Sequence, residues 1–439
     1  MKRILVFGMM AASLGLAQTP RQLSLEDALR IGKENNRTLR VAELRVDAAS
    51  AKSGEAHAAM LPTLKFDGSY KRVSDIDPFV LQFPPIVATP IEITPNIPNT
   101  YSLRVALQQP LFTGFRLTSN ARAAEQLAEA SRADRKGSES DLVLGIVNTY
   151  WMVYQAIETK KSVDENVDRL TSYESDTRNL MQAGLATRND LLRIQVQLAN
   201  AKLSHIDAAN DVEVATMNLN NIMGQPVETP IQLTSVPTKE EGTQRDSSSS
   251  RDLTDMALKR RPDLLAMQSR VEAARSNVSA AQGSWWPQIS LTANYLYARP
   301  NPRYLPAKDE FKPTWDAALV MQFDIWNWGT THYQTEQARS QLQQNEYIFA
   351  QMKDNASLEV RRYQLGVERA SKRIDVAHEA IQQAEENSRS TNEKYRNGLA
   401  TSTELLDASL AVLQARTNYS GALVEHEIAR ARLAKALGH

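Results

Sequence analysis

The feature that most constrains this chain is that it is written twice. Leu39 and Pro62 recur as Leu264 and Pro287, 225 residues further on, and Gly184-Leu185-Ala186-Thr187 recurs as Gly398-Leu399-Ala400-Thr401 at an offset of 214. Gly224 and Gly438 keep the second offset. A long internal period marks a duplicated supersecondary unit, so the fold must supply two equivalent halves. The difference of 11 residues between the offsets falls in 63–112 against 288–326, where the copies differ most in length. Residues 18–235 form the first repeat and 253–439 the second. The polar stretch 236–252, with its run Ser247 to Ser250, joins them.

Within each half the hydrophobic period changes. From Leu191 through Ile194, Leu198, Ala201, His205, Ala208, Val212, Ala215 and Leu219 to Ile222, apolar positions step by three and four, as in a heptad seam. A second stripe runs Leu192, Val196, Ala199, Leu203, Ile206. The copy carries both, on Leu405, Ala408, Val412, Ala415 and onward, and on Leu406, Leu410, Leu413. A helix with two adjacent stripes packs a neighbour on each side, in a bundle, a sheet of helices or a closed tube. The run from Arg116 to Gln182 predicts a helix of roughly 100 Å at 1.5 Å per residue, and its copy from Thr330 to Asn397 another. The runs Leu25 to Met60 and Arg188 to Gly224 are about half as long, so two of them match one long partner in a rod. Gly184 and Gly398 sit at the tips of the resulting helical hairpins, about 183–187 and 397–401.

After Pro62 and Pro287 the period becomes two. Leu64, Phe66, Gly68 and Tyr70 alternate with polar residues, and Tyr101, Leu103, Val105 and Leu107 alternate with Ser102, Arg104, Ala106 and Gln108. Their copies are Ile289 to Tyr297 and Trp315 to Phe323. Each half therefore contributes one strand hairpin, about 63–112 and 288–326. Strands of this length and alternation suit an outer-membrane barrel or a soluble sheet. Single-chain barrels begin at about eight strands, so a barrel built from four needs two, three or four copies.

The N-terminus carries Lys2 and Arg3, an apolar run from Ile4 to Leu16, and small residues Gly15 and Ala17, which read as a secretory signal peptide over 1–17. The 51 basic residues balance 51 acidic ones, which leaves no nucleic-acid footprint. A mean hydropathy of -0.43 argues against a bundle of membrane helices. Cysteine is absent, which excludes disulfides, thiolate metal sites and lipid attachment at an N-terminal Cys.

On these residues the chain resembles the TolC-type outer-membrane factors, the exit ducts of tripartite efflux pumps and type I secretion systems. The resemblance covers nearly all the mature chain. It is carried by Met60-Leu61-Pro62 and Trp285-Trp286-Pro287, by the strand exits Gln109-Pro110-Leu111-Phe112-Thr113-Gly114 and Asp324-Ile325-Trp326-Asn327-Trp328-Gly329, and by the two tips, in the same order twice. It implies a mainly helical fold with a β-barrel: a homotrimer whose chains each give four strands to a 12-stranded barrel in outer-membrane lipid and whose coiled-coil helices form a periplasmic tunnel. It implies docking of a periplasmic adaptor on Gly184, Leu185, Ala186 and Thr187 and on Gly398, Leu399, Ala400 and Thr401, with an inner-membrane efflux pump or ABC transporter as the motor. It matches Glu404 and Asp407 to an acidic aperture, and Asp190 and Tyr395 to contacts that hold the gate shut. The arginine of the family's closing set is replaced by Ala400, and Arg188 is the candidate substitute.

No Gly-rich phosphate loop, His-Glu-x-x-His or Gly-x-Ser-x-Gly turn occurs, so no catalytic residue, cofactor or metal site is expected. His205 and His426 fall within the seams, where a hydrogen-bonded packing role is expected. A periplasmic adaptor would show one hairpin beside non-helical domains, and a coiled-coil scaffold has no use for alternating strands.

Overall fold

The computed structural model describes residues 21–81, 91–237 and 250–439. The signal-peptide segment 1–17 lies outside the described residues, as does most of the 236–252 connector. In chain order the elements are β1 (Arg21–Leu23), α1 (Leu25–Asn35), α2 (Arg37–Ala58), β2 (Thr63–Arg72), β3 (Phe79–Leu81), β4 (Ile91–Thr94), β5 (Asn99–Phe112), α3 (Arg116–Gln182) and α4 (Arg188–Ile222). The second half continues with β6 (Ile231–Leu233), α5 (Ser250–Arg260), α6 (Pro262–Gln282), a short 3-10 turn (Gly283–Trp285), β7 (Gln288–Arg299), β8 (Lys312–Gln322), α7 (Thr330–Arg396) and α8 (Ser402–Ala436). The repeat is exact in length in the four longest helices: α3 and α7 have 67 residues each, α4 and α8 have 35.

One expected helix is two. The run from Leu25 is interrupted at Asn36, whose backbone is extended (ψ 124°) and whose side-chain oxygen accepts from the N–H groups of Thr38 at 2.8 Å and Leu39 at 3.1 Å. Those bonds start α2 afresh, because the first turn of a helix has no internal partners for its N–H groups. In the copy, Pro262 does the same work as the first residue of α6, where a missing N–H costs nothing.

The chain divides into two compact units. The first takes the segment up to Ala42, Lys136–Arg261 and Asp354–His439. Its largest core gathers Ala28, Ile31 and Leu39 with Leu142, Ile146, Tyr150, Trp151, Leu219, Met223, Val424 and Ile428. Tyr150 is fully buried, and its hydroxyl both donates to the Leu23 carbonyl at 3.0 Å and accepts from the Ser235 N–H at 3.1 Å. Through it α3 fastens the two ends of a small parallel pair, β1 with β6, that the sequence pattern did not disclose.

The second unit, Glu43–Arg135 with Pro262–Lys353, contains the main sheet. Four antiparallel strands pair in the order β2-β5-β7-β8, so the two sequence-predicted hairpins lie side by side. Register puts Phe66, Val105, Tyr295 and Trp315 in one row across all four strands, and Leu64, Leu107, Ala293 and Ala317 in the next. One face is thus continuously apolar, as side-chain alternation requires. The opposite face carries Lys65, Asp67, Arg104, Asn294 and Asp316, with Asn294 donating to Asp316 at 2.9 Å. Where the sequence pattern gave only a loop after β2, β3 and β4 form a further short pair.

The strand exit at Gly114 shows why glycine is needed there. Its φ is +59°, and a Cβ would lie 2.2 Å from the Gly283 carbonyl oxygen. Its copy Gly329 also has positive φ, +80°, but a Cβ there meets only the Tyr333 ring at 3.4 Å. Gly329→Ala should therefore cost about 1–2 kcal/mol of backbone strain. Gly114→Ala should cost distinctly more, because it adds a collision with main chain to the same strain. Unfolding of the two purified variants in detergent checks this; equal losses would contradict it.

Candidate functional site

Two surfaces carry the functional argument, and each is built locally. In the second unit it is the apolar sheet face. Phe66 is 69% exposed and Trp315 73%, and Leu64, Tyr70, Leu103, Tyr295, Leu319 and Met321 are exposed beside them. Single exposed apolar residues are ordinary, but a four-strand face of them is a surface that water does not favour. Among the described residues no helix is long and apolar enough to cross a membrane.

In the first unit it is the meeting of the helical tips. Gly184 and Gly398 both take φ +74°, closing α3 and α7 with the left-handed turn that lets the chain return. Leu185 and Leu399 then stand 74% and 77% exposed, while Ala186 and Ala400 are half-buried. Thr187 and Thr401 each start the returning helix with a capping box. Thr187 accepts from the Asp190 N–H, while the Asp190 carboxylate accepts from the Thr187 N–H at 3.0 Å and hydroxyl at 2.6 Å. Glu404 does the same for Thr401, at 2.7 Å and 3.0 Å. Asp190 and Glu404, assigned different roles by the resemblance, therefore occupy the same position of the repeat.

The two hairpins are tied to each other within one chain. Asp190 Oδ1 accepts a bond from the hydroxyl of buried Ser402 at 2.6 Å. The Tyr395 hydroxyl lies 2.8 Å from that of Thr177, and both side chains are buried. Asp190 and Tyr395 each reach across to the other hairpin, but to these partners rather than to one another. Arg193 donates to Thr403, and Arg396 pairs with Asp176 at 2.8 Å. Arg193, Arg396 and Arg416, the last paired with Glu165, thus bridge the hairpins inside the chain, while Arg188 stays exposed at the start of α4. Beneath these links Leu170, Tyr173, Ile194, Leu198, Ala201, Tyr395 and Leu405 form a small core, with Ala400 and Leu406 packed against it. Glu404 and Asp407 are exposed and one turn apart on α8. His205 is exposed too, and its Nδ1 lies 2.5 Å from Asp164 Oδ1.

Electrostatics follow from these contacts. The Ser402 hydroxyl, and then the Thr187 hydroxyl, hold Asp190 below its ordinary 3.8. The Thr401 N–H, and then its hydroxyl, hold Glu404 below 4.5. Burial pushes the Tyr395 phenol up; the Thr177 bond acts against that, and nearby Asp190 and Asp176 add to it.

Residues 29–225 and 253–439 match the family described as outer membrane efflux protein. The chain belongs to the outer membrane efflux protein family. It is 24% identical to the toluene efflux pump outer membrane protein TtgC of Pseudomonas putida, over 98% of this chain and 85% of that one. It is 21% identical to the outer membrane protein TolC of Vibrio cholerae, over 100% of this chain and 96% of the relative. In fold it is similar to the solved outer membrane protein VceC of Vibrio cholerae, with a TM-score of 0.78 at 18% identity over 94% of this chain and 96% of that one. This outer membrane efflux protein is accordingly a passive channel of the outer membrane that extends into the periplasm, in a family of transport channels rather than of enzymes. The adaptor and scaffold readings give way to it.

Two of the tip contacts had no signal in the sequence. Ser402 and Thr177 are small hydroxyls in helices, and only the rotation of one hairpin against the other makes them partners. The Asp190–Ser402 joint has a pH signature. Because the folded carboxyl is the stronger acid, the stability it brings is complete above its ordinary value of 3.8 and is lost as pH falls through the lower folded value. Ser402→Ala should cost about 1.5–3 kcal/mol near neutral pH and progressively less in strong acid. Thermal unfolding followed by circular dichroism at both pH values tests this, and a loss independent of pH would contradict it.

Proposed function

We propose that three copies of the chain assemble into one duct, that each contributes its four strands to a shared 12-stranded barrel, and that the helices continue as a periplasmic tunnel. The observation that carries this reading is the four-strand sheet with one apolar face and two free edges, β2 and β8. In hydrocarbon every backbone N–H and C=O needs a protein partner, so those edges must meet the edges of other copies. Substrates pass through; a periplasmic adaptor and an inner-membrane pump or ABC transporter supply selection and energy. The chain performs no catalysis and holds no cofactor. The exposed Leu185 and Leu399, raised on rigid glycine turns, suit docking against an adaptor's helical hairpin, with Ala186, Thr187, Ala400 and Thr401 shaping the turns beneath them.

Glu404 and Asp407 form the constriction in this reading. Three copies bring six carboxylates together, enough to favour cations and repel anions. The in-chain joints of Asp190 and Tyr395 keep the tips inward. Glu404→Gln with Asp407→Asn retains an acceptor for the Thr401 cap and removes the charge. That double variant, in planar bilayers, should lose cation preference and sensitivity to block by multivalent cations. Unchanged selectivity and block would place the constriction elsewhere.

A further inference from the structure

The apolar face of the sheet changes character toward its loop end. After the row Phe66, Val105, Tyr295, Trp315, the next row on that face is Gly68, Leu103, Tyr297, Pro313, and the one after it is Tyr70, Tyr101, Arg299. Arg72, paired with Asn99, follows. The rings here touch: Tyr70 and Tyr101 lie 5.1 Å apart, Tyr101 and Phe311 5.8 Å, and Phe311 stacks on Tyr297 at 5.0 Å. The Arg299 guanidinium stands over the Tyr101 ring, 5.9 Å from its centre. Aromatic rings topped by cations suit the level where hydrocarbon gives way to headgroups. The opposite ends of β5 and β8 lead into α3 and α7, so this level is the one away from the periplasm.

A cavity of about 250 Å³ opens there, with polar walls from Arg299, Asp309, Asn96 and Asn99. That is below the roughly 300 Å³ at which pockets begin to enclose whole ligands, so it suits a headgroup whose chains stay outside. Its polar groups are only partly spent. Asp309 accepts from Nε and Nη2 of Arg299 at 2.7 and 2.8 Å, leaving Nη1. Asn99 Oδ1 accepts from the Tyr70 hydroxyl at 3.0 Å, leaving its amide N–H groups, and Asn96 donates to Asp75 at 3.3 Å, leaving its Oδ1. Arg72 is exposed and has no side-chain partner among the described residues.

This combination selects its ligand. A bare phosphate would use only the cations, and an acyl chain only the rings. Amide and carboxylate groups beside two arginines offer donors and acceptors for hydroxyls together with guanidinium for a phosphate. The site occurs once per chain, because the repeat places Tyr297 where the first hairpin has Arg72 and Pro313 where it has Asn99. We infer that the loop end of the apolar face holds the phosphorylated sugar headgroup of a glycolipid in the outward leaflet. Arg72 and Arg299 take the phosphate, Asn96, Asn99 and Asp309 the hydroxyls, and the acyl chains descend over Tyr70, Tyr101 and Tyr297. This rests on the reading that the apolar face meets lipid, and it names the lipid.

Native mass spectrometry of the full chain in detergent, titrated with lipid A as the probe, tests the site. The wild type should retain up to one lipid A per chain. Arg72→Ala and Arg299→Ala should each weaken retention about tenfold or more, as the loss of a charge-assisted bond implies. Lys71→Ala removes the same charge one residue away on the polar face and should leave retention unchanged. Phosphatidylglycerol, with glycerol in place of the sugar, should be displaced by lipid A, and inorganic phosphate should not compete. An equal loss in the Lys71 variant, equal retention of phosphatidylglycerol, or displacement by inorganic phosphate would overturn the assignment. No bound lipid A on a wild type of multi-copy native mass would overturn it while the assembly stands. A single-chain native mass would overturn the assembly and the lipid site with it.

Discussion

The structure depends on an unmet demand for hydrogen bonds. A four-stranded antiparallel sheet leaves one row of N–H and C=O groups open on β2 and another on β8. Water can satisfy such rows, but a bilayer cannot. The apolar face on Leu64, Phe66, Tyr295 and Trp315 suits the sheet to a bilayer in the proposed duct. Assembly with further copies is the answer proposed here, and the duplicated sequence suits it: each half supplies one hairpin, and each chain one four-strand arc.

The same duplication governs the tips. A capping box at Thr187 and another at Thr401 solve the same local problem, the unpartnered N–H groups of a helix start. Each cap occupies one oxygen of its carboxylate, and the other oxygen is what differs in use. Asp190 spends it on Ser402 inside the chain, which ties hairpin to hairpin next to the buried Tyr395–Thr177 pair. Among the described residues Glu404 has no such partner on the other hairpin, and it is exposed with Asp407. A local stabilising device thus leaves one acid structural and the other available for a functional role.

Much of this was legible from residues alone. Period-two alternation located all four main strands, because a half-buried sheet face imposes it on every other residue, and the offset of 214 matched α3 to α7 and α4 to α8. The tips followed from glycines that adopt positive φ. Other features were not legible for physical reasons. Asn36 interrupts a run whose apolar pattern is continuous, since its side chain competes locally for backbone N–H groups. Tyr150 holds β1 to β6 across more than a hundred residues, a link that periodicity does not encode. At the tips, the contacts of Asp190 with Ser402, Tyr395 with Thr177 and Arg396 with Asp176 depend on how two rods are rotated.

The central claim is that one face of the sheet meets lipid and the other water. Single cysteines placed along β7 from Ser290 to Tyr297, in a chain that has none of its own, test it most directly. In intact outer membranes, positions 290, 292 and 294 should react with a membrane-impermeant maleimide. Positions 291, 293 and 295 should resist it, and a fluorophore attached there should be quenched by brominated lipid. Reactivity and quenching that do not alternate along the strand would contradict the account.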